Sequence, residues 1–131
     1  MTKYLLDSDI LMDFFKKKEY AVDCLDKLLI QGTLVISTLS VTELRSGWTS
    51  EQAEQLLPQL YDLVKVLNLN KKTVELAGQY RQEYKKTKGI LLPVVDTLIA
   101  STAILEKCQL VTRNKKDYPM SDIKFYPIEA V

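Results

Sequence analysis

Short apolar runs of strand character alternate along this chain with longer segments of helical period, and that alternation restricts the fold more than any other feature. Residues 3–6 (KYLL) read as a buried strand, and an amphipathic helix follows from about Asp9 into Phe15. AVDCLDKLLIQ predicts a second helix that stops at Gly32, and TLVIS (residues 33–37), rich in β-branched side chains, a second strand. SVTELRSGW begins a third helix, and EQAEQLLPQLYDL continues the helical region with a kink or break expected at Pro58. LVKVLNL predicts a short strand and KKTVELAGQYRQEYKKT a long helix. PVVDTLIASTAILEKC predicts an apolar helix opened by Pro93 in its first turn, QLVTRN a fourth strand, and IKFYPI a short terminal one. Strands separated by helix-length segments pair in parallel, because the crossover carries the chain back to the same edge. The expectation is one α/β domain over residues 1–131, with a central, mostly parallel sheet covered on both faces.

Composition narrows the chemistry. The chain has no histidine, which removes Ser-His-Asp and Cys-His catalysis, histidine bases and every His-containing zinc site. Cys24 and Cys108 lie far apart without a CxxC spacing, so two reduced, partly buried thiols are expected. At 47% hydrophobic and 27% charged residues the chain has enough apolar side chains for a core. No run approaches the roughly 18 apolar residues of a membrane helix. The opening MTKYLLDSDI carries acids inside its apolar stretch and lacks the pattern of a signal peptide, which points to a cytoplasmic protein. A net charge of +1 decides nothing about nucleic acid. The basic groups Lys71, Lys72, Arg81, Lys85, Lys86, Lys88 and Arg113, Lys115, Lys116 read first as solvated surfaces and second as phosphate contacts.

The polar chemistry therefore falls to carboxylates, hydroxyls and lysines. Asp7 ends the first strand, Glu43 lies in the helix after the second, Asp96 in the first turn of the apolar helix, and Asp117 in the basic loop after QLVTRN. In parallel sheets functional groups gather beyond the carboxyl ends of the strands, so these acids are candidates to converge. Each also has a structural use: Asp7 or Ser8 as a helix cap, Ser40-Val-Thr-Glu43 as a capping box, Asp96 against a helix dipole, Asp117 in a turn. Asp7 and Asp96 are flanked by apolar residues, which predicts burial of both. Buried acids sharing a pocket raise one another's pKa unless a cation lies between them. An all-oxygen ligand set suits Mg2+ or Mn2+ better than zinc, and such sites cleave phosphodiesters.

YLLDSDILMDFF, ISTLSVTELRSG, LLPVVDTLIASTAI and LVTRNKKDYP, in that order, resemble the motifs of the PIN-domain nucleases, specifically the VapC-type toxins of bacterial toxin–antitoxin pairs. The resemblance spans nearly the whole chain. It implies a three-layer α/β/α sandwich, Mg2+ or Mn2+ as cofactor, and metal ligands at Asp7, Glu43 and Asp96 with Asp117 as fourth acid. Ser8, Thr112 and Asn114 would support the site. It also implies cleavage of single-stranded RNA, a homodimer, and a cognate antitoxin that docks near the site and forms a larger complex, with DNA engaged only through the antitoxin and no membrane contact. Asp9 departs from the pattern, standing where the family generally has asparagine; an extra cap or an outer contact to the site are both open to it. Ser8, Thr42 and Ser46 at helix starts read first as caps, and Trp48, Tyr61, Tyr80 and Tyr84 as packing rather than base-stacking groups. Two rival functions remain: an RNA-processing nuclease outside a toxin–antitoxin pair, and a non-catalytic partner protein that regulates DNA binding.

Overall fold

The structure, a computed structural model, describes residues 1–128. Five parallel strands form one sheet in the order β3-β2-β1-β4-β5. They are β1 (Thr2–Leu6), β2 (Gly32–Ser37), β3 (Lys65–Leu67), β4 (Cys108–Val111) and β5 (Lys124–Phe125). The helices are α1 (Ser8–Phe15), α2 (Glu19–Gln31), α3 (Thr38–Gly47), α4 (Ser50–Leu63), α5 (Lys71–Lys88) and α6 (Val94–Leu105), with a 3-10 turn at Lys115–Asp117.

Side chains alternate across each strand, and the sheet sorts them into two cores. Tyr4 and Leu6 of β1, Leu34 and Ile36 of β2, and Val111 of β4 pack with α1 to α4. Leu5, Val35 and Leu110 point the other way, into Ile99, Ala100 and Ala103 of α6 and Tyr84 of α5. The result is the expected α/β/α sandwich, with a sheet that is wholly rather than mostly parallel. From β1 the chain winds outward to β2 and β3, then crosses to β4 on the other side of β1. Its reversal point lies between the C-terminal ends of β1 and β4, the crevice where parallel sheets carry their sites.

Several local expectations shift. Gly32 ends α2 but not through a left-handed turn: its backbone is extended, and a Cβ there would lie 2.1 Å from the Thr2 carbonyl oxygen of the neighbouring strand. Close approach of β1 requires the glycine. Pro58 does not break α4, which runs through it; a Thr49/Gln52 capping box holds the helix start, and fully buried Leu60 holds the turn beyond. Pro93 is the N-cap of α6 rather than its first helical residue. That helix stops at Leu105, and Lys107, at φ 55°, turns the chain into β4. Trp48 is buried against Phe15, so packing is its use. Among the described residues no helix is long and apolar enough to cross a membrane.

Candidate active site

Asp7 follows the last residue of β1, and its backbone N–H extends the ladder to the Val111 carbonyl of β4 at 3.0 Å. Its carboxylate is buried at the reversal point. Oδ1 accepts the Ser8 N–H at 2.8 Å, while Oδ2 accepts two hydroxyls, Thr112 Oγ1 and Tyr118 OH, each at 2.8 Å. Asp7 is thus the N-cap of α1 as well as part of the polar cluster. The two uses coexist because a carboxylate has lone pairs for both.

Glu43 reaches the same place from α3. The capping-box alternative does not hold: Ser37, at the end of β2, caps α3 by accepting the Leu39 N–H at 3.2 Å, and Ser40 Oγ is buried with no hydrogen-bond partner among the described residues. The helix starts two residues earlier than its sequence suggests, which moves Glu43 out of the first turn. Its carboxylate instead accepts the Ser8 hydroxyl at 3.2 Å. Burial raises the Glu43 pKa, and the charges of Asp7 and Asp96 raise it further against the opposing Ser8 hydrogen bond. Asp96, in the first turn of α6, is likewise raised by burial, then by Asp117 and Asp7. It is half-buried, less than its apolar flanks suggest. Asp117 is exposed on the 3-10 turn and joins the group through its charge on Asp96.

Across the C-terminal edge of β1 and β4, the charges of Asp7 and Asp96 therefore act on Glu43, and those of Asp117 and Asp7 on Asp96. Among the described residues none of them takes part in an ion pair with lysine or arginine. Nor is any group of three or more His, Cys, Asp or Glu side chains among these residues drawn in tightly enough to cage an ion as it stands. Carboxylates and hydroxyls without a competing base form an all-oxygen donor set that fits a hard divalent cation.

Asp9 sits one helical step from Asp7. Its Oδ1 accepts the Ile10 N–H at 2.7 Å; its Oδ2 accepts the Arg113 N–H and Asn114 Nδ2, both at 3.1 Å. Burial and the Asp7 charge push its pKa up to about 6 against those backbone N–H bonds. Asn114 serves Asp9 and, through its own N–H, Thr112 Oγ1 at 3.1 Å, which ties it to the residues beside Asp7. Beside it opens a cleft of about 360 Å³ lined by Asp9, Met12, Asp13, Arg113 and Asn114.

Two buried polar groups beside the site escape a sequence reading. Asp13, buried near the end of α1, accepts the Tyr20 hydroxyl, Arg113 Nη1 at 3.1 Å and Lys18 Nζ at 3.2 Å. Burial works to raise its pKa, but these three partners hold it below the ordinary carboxylate value. The signal for it was an acid set directly before two phenylalanines. Tyr118 lies next to Asp117 in sequence, yet its hydroxyl turns inward to Asp7; nothing local in the sequence indicates that direction.

A family model for the PIN domain matches residues 4–125. Over 117 residues the chain is 29% identical to Ribonuclease VapC1 of Methanocaldococcus jannaschii, covering 89% of this chain and 79% of that protein. Over 120 residues it is 29% identical to Ribonuclease VapC2 of Rickettsia felis, covering 88% and 89% respectively. A crystal structure of VapBC2 from Rickettsia felis, bound to a DNA fragment from their promoter, superposes with a TM-score of 0.84 at 26% identity, over 95% of this chain and 98% of that one.

Proposed function

The chain belongs to the PIN-domain family, and from that premise we propose that it is a Mg2+- or Mn2+-dependent endoribonuclease acting as the toxin of a toxin–antitoxin pair. The observation that carries the nuclease reading is the group of four acids at the β1/β4 crevice, none of them in an ion pair with lysine or arginine among the described residues. The names of the two ribonuclease relatives support RNA as substrate. The resemblance to a VapBC structure supports a cognate antitoxin, with promoter DNA reached through it.

Asp7, Glu43 and Asp96, with Asp117 at the rim, would hold the ion. A divalent cation held there would supply neutralisation of charge on a phosphate oxygen and a lowered pKa for water. The chain's own groups do the rest. Thr112 and Tyr118 fix Asp7, Ser8 orients Glu43, and Asp9 ties the Arg113–Asn114 turn to the start of α1. Asp96 or Asp7 would also orient the attacking water. The same reading carries a single domain, a cytoplasmic location and a homodimer. Ile90, Leu91, Val94 and Val95, all exposed around the start of α6, supply an apolar surface beside Asp96 that two-fold pairing would cover.

The test is cleavage of total RNA by the purified protein with Mg2+, Mn2+ or EDTA, with the product ends mapped. Defined ends that require the metal and vanish in Asp7→Asn support the proposal; metal-independent products, or none under any condition, refute it. Light scattering that finds a monomer at micromolar concentration removes the dimer.

A further inference from the structure

The hydrogen bonds on Asp7 are distributed unevenly between its two oxygens. An ionised carboxylate offers about four lone-pair positions, two on each oxygen. Oδ2 receives Thr112 Oγ1 and Tyr118 OH, each at 2.8 Å, and is filled. Among the described residues Oδ1 receives only the Ser8 N–H, at 2.8 Å, and keeps one position. Neither hydroxyl is free to leave. Thr112 is 1% exposed and Tyr118 3% exposed, so no water replaces Asp7 as their acceptor. Thr112 Oγ1 already accepts the Asn114 N–H at 3.1 Å, which commits its own proton to Asp7. A phenol keeps its proton at neutral pH, so Tyr118 remains a donor to Oδ2. A phenylalanine would fill the same space among Met120, Ile123 and Leu92 of the second core without reaching Oδ2.

We propose that Tyr118, together with Thr112, is a positioning residue that restricts Asp7 to coordination of the divalent cation through Oδ1 alone, and so biases the site toward Mg2+ or Mn2+ and against Ca2+. The reason lies in coordination preference. Mg2+ demands near-octahedral geometry with short bonds, keeps several of its waters and takes single carboxylate oxygens readily. Ca2+ takes six to eight oxygens and favours carboxylates that bind through both. An aspartate with one oxygen filled by two buried hydroxyls offers the first kind of ligand and not the second. Removing the phenol hydroxyl leaves one position on Oδ2 open and the ring in place. The inference rests on the cation site proposed above.

The experiment is calorimetric titration of the purified full chain and of Tyr118→Phe with MgCl2, MnCl2 and CaCl2 separately, at one pH and in the absence of RNA. Wild type should prefer Mg2+ and Mn2+ over Ca2+. In Tyr118→Phe the Ca2+-to-Mg2+ Kd ratio should fall by roughly tenfold, the scale of one hydrogen bond to a charged group. An unchanged ratio, or equal weakening for all three ions, overturns the proposal and leaves the cation site standing. Wild type that binds neither Mg2+ nor Mn2+ overturns the site and the proposal together. A second measurement does not depend on the folding of a variant: in a crystal structure of wild type with Mn2+, the ion should touch Asp7 Oδ1 while Thr112 and Tyr118 remain on Oδ2. An ion on Oδ2, or astride both oxygens, overturns it.

Discussion

Asp7 at the start of α1 and Asp13 near its end are 8% and 7% exposed, and both carry carboxylates into the protein beside the same β4 loop. Asp13 is met there by Arg113, Lys18 and the Tyr20 hydroxyl, and its charge is balanced within the fold. Asp7 is met by two hydroxyls and one N–H, and its charged neighbours, Asp9, Glu43 and Asp96, are acids. Cations are not scarce in a chain with 18 lysines and arginines, so the difference is local. A buried carboxylate without a cation is costly, and three further acids around it raise that cost. The end of α1 that balances its own charge reads as structure; the end that does not reads as a place for an ion from outside.

The sharpest way to break that contrast is to neutralise each acid in turn. Asp7→Asn should lower metal-dependent RNA cleavage by on the order of a thousandfold, the several kcal/mol that metal-assisted charge stabilisation supplies. Asp13→Asn should keep most of the activity. Equal losses in single-turnover assays would show that both ends serve catalysis and that charge balance is no guide.

A smaller effect comes from the ion itself. Mn2+ at about 100 times its Kd adds about 2.7 kcal/mol to a protein that binds it only when folded, or about 10 °C in a domain of this size. Asp13→Asn should keep that rise in melting temperature and Asp7→Asn should lose most of it. Thermal melts with EDTA and with Mn2+ measure both, and a full metal shift in Asp7→Asn would remove Asp7 from the ligand set.

Stability alone should rank the two in the opposite order. Asp13→Asn leaves Arg113 and Lys18 without their counter-charge and with one acceptor oxygen between them, and should cost on the order of 1–2 kcal/mol in urea unfolding. This lies below the range for a fully buried pair, because those side chains are 46% and 51% exposed. Asp7→Asn, measured in EDTA, relieves repulsion among the acids. Its single oxygen can cap α1 or serve Thr112 and Tyr118 but not both, and the relief should keep its cost below that of Asp13→Asn.

The frame of this molecule was legible from apolar periodicity: each strand is short and apolar, and each crossover carries a helical face. The acids beyond β1, β2 and β4 were legible as candidates because the sheet topology says where strand ends meet. What remained hidden depends on partners far away in sequence. The Tyr118–Asp7 hydrogen bond spans 111 positions, and the Arg113–Asp13 pair 100. No local rule orients a tyrosine inward or picks one arginine out of a basic loop. Glu43 shows the opposite failure, a local rule fulfilled in sequence and overruled in space. Ser40 and Glu43 have capping-box spacing, but β2 ends at Ser37, and the residue at the strand end takes the cap.

Titration gives the finest test of the two ends, because their pKa values move in opposite directions. Asp9 rises from 3.8 to about 6 through burial and the Asp7 charge, and Glu43 and Asp96 rise as well. A carboxyl whose folded pKa exceeds its unfolded value binds its proton more readily in the folded state. Its stabilising contribution is complete below the unfolded pKa and is lost as pH rises through the folded one. Asp13 has the other sign: held below 3.8, it contributes stability above that value and loses it as pH falls through its folded pKa. Melts in EDTA should therefore rise on acidification from about pH 7.5 to about pH 5 and fall again below about pH 4. Asp9→Asn separates the contributions. An asparagine oxygen can keep one of the two sets of N–H bonds, and the Asn114 amide can turn its oxygen toward the new NH2 group. The variant should melt at or slightly above wild type near pH 7.5, with a shallower rise toward pH 5, while the loss below pH 4 stays unchanged because it belongs to Asp13. A slope between pH 7.5 and 5 equal to that of wild type would assign the effect to Glu43 and Asp96 and leave Asp9 as a tie for the Arg113–Asn114 turn. Melting that does not rise on acidification at all would mean that the acids at the Asp7 end are not strained, and the contrast between the two ends of α1 would fail.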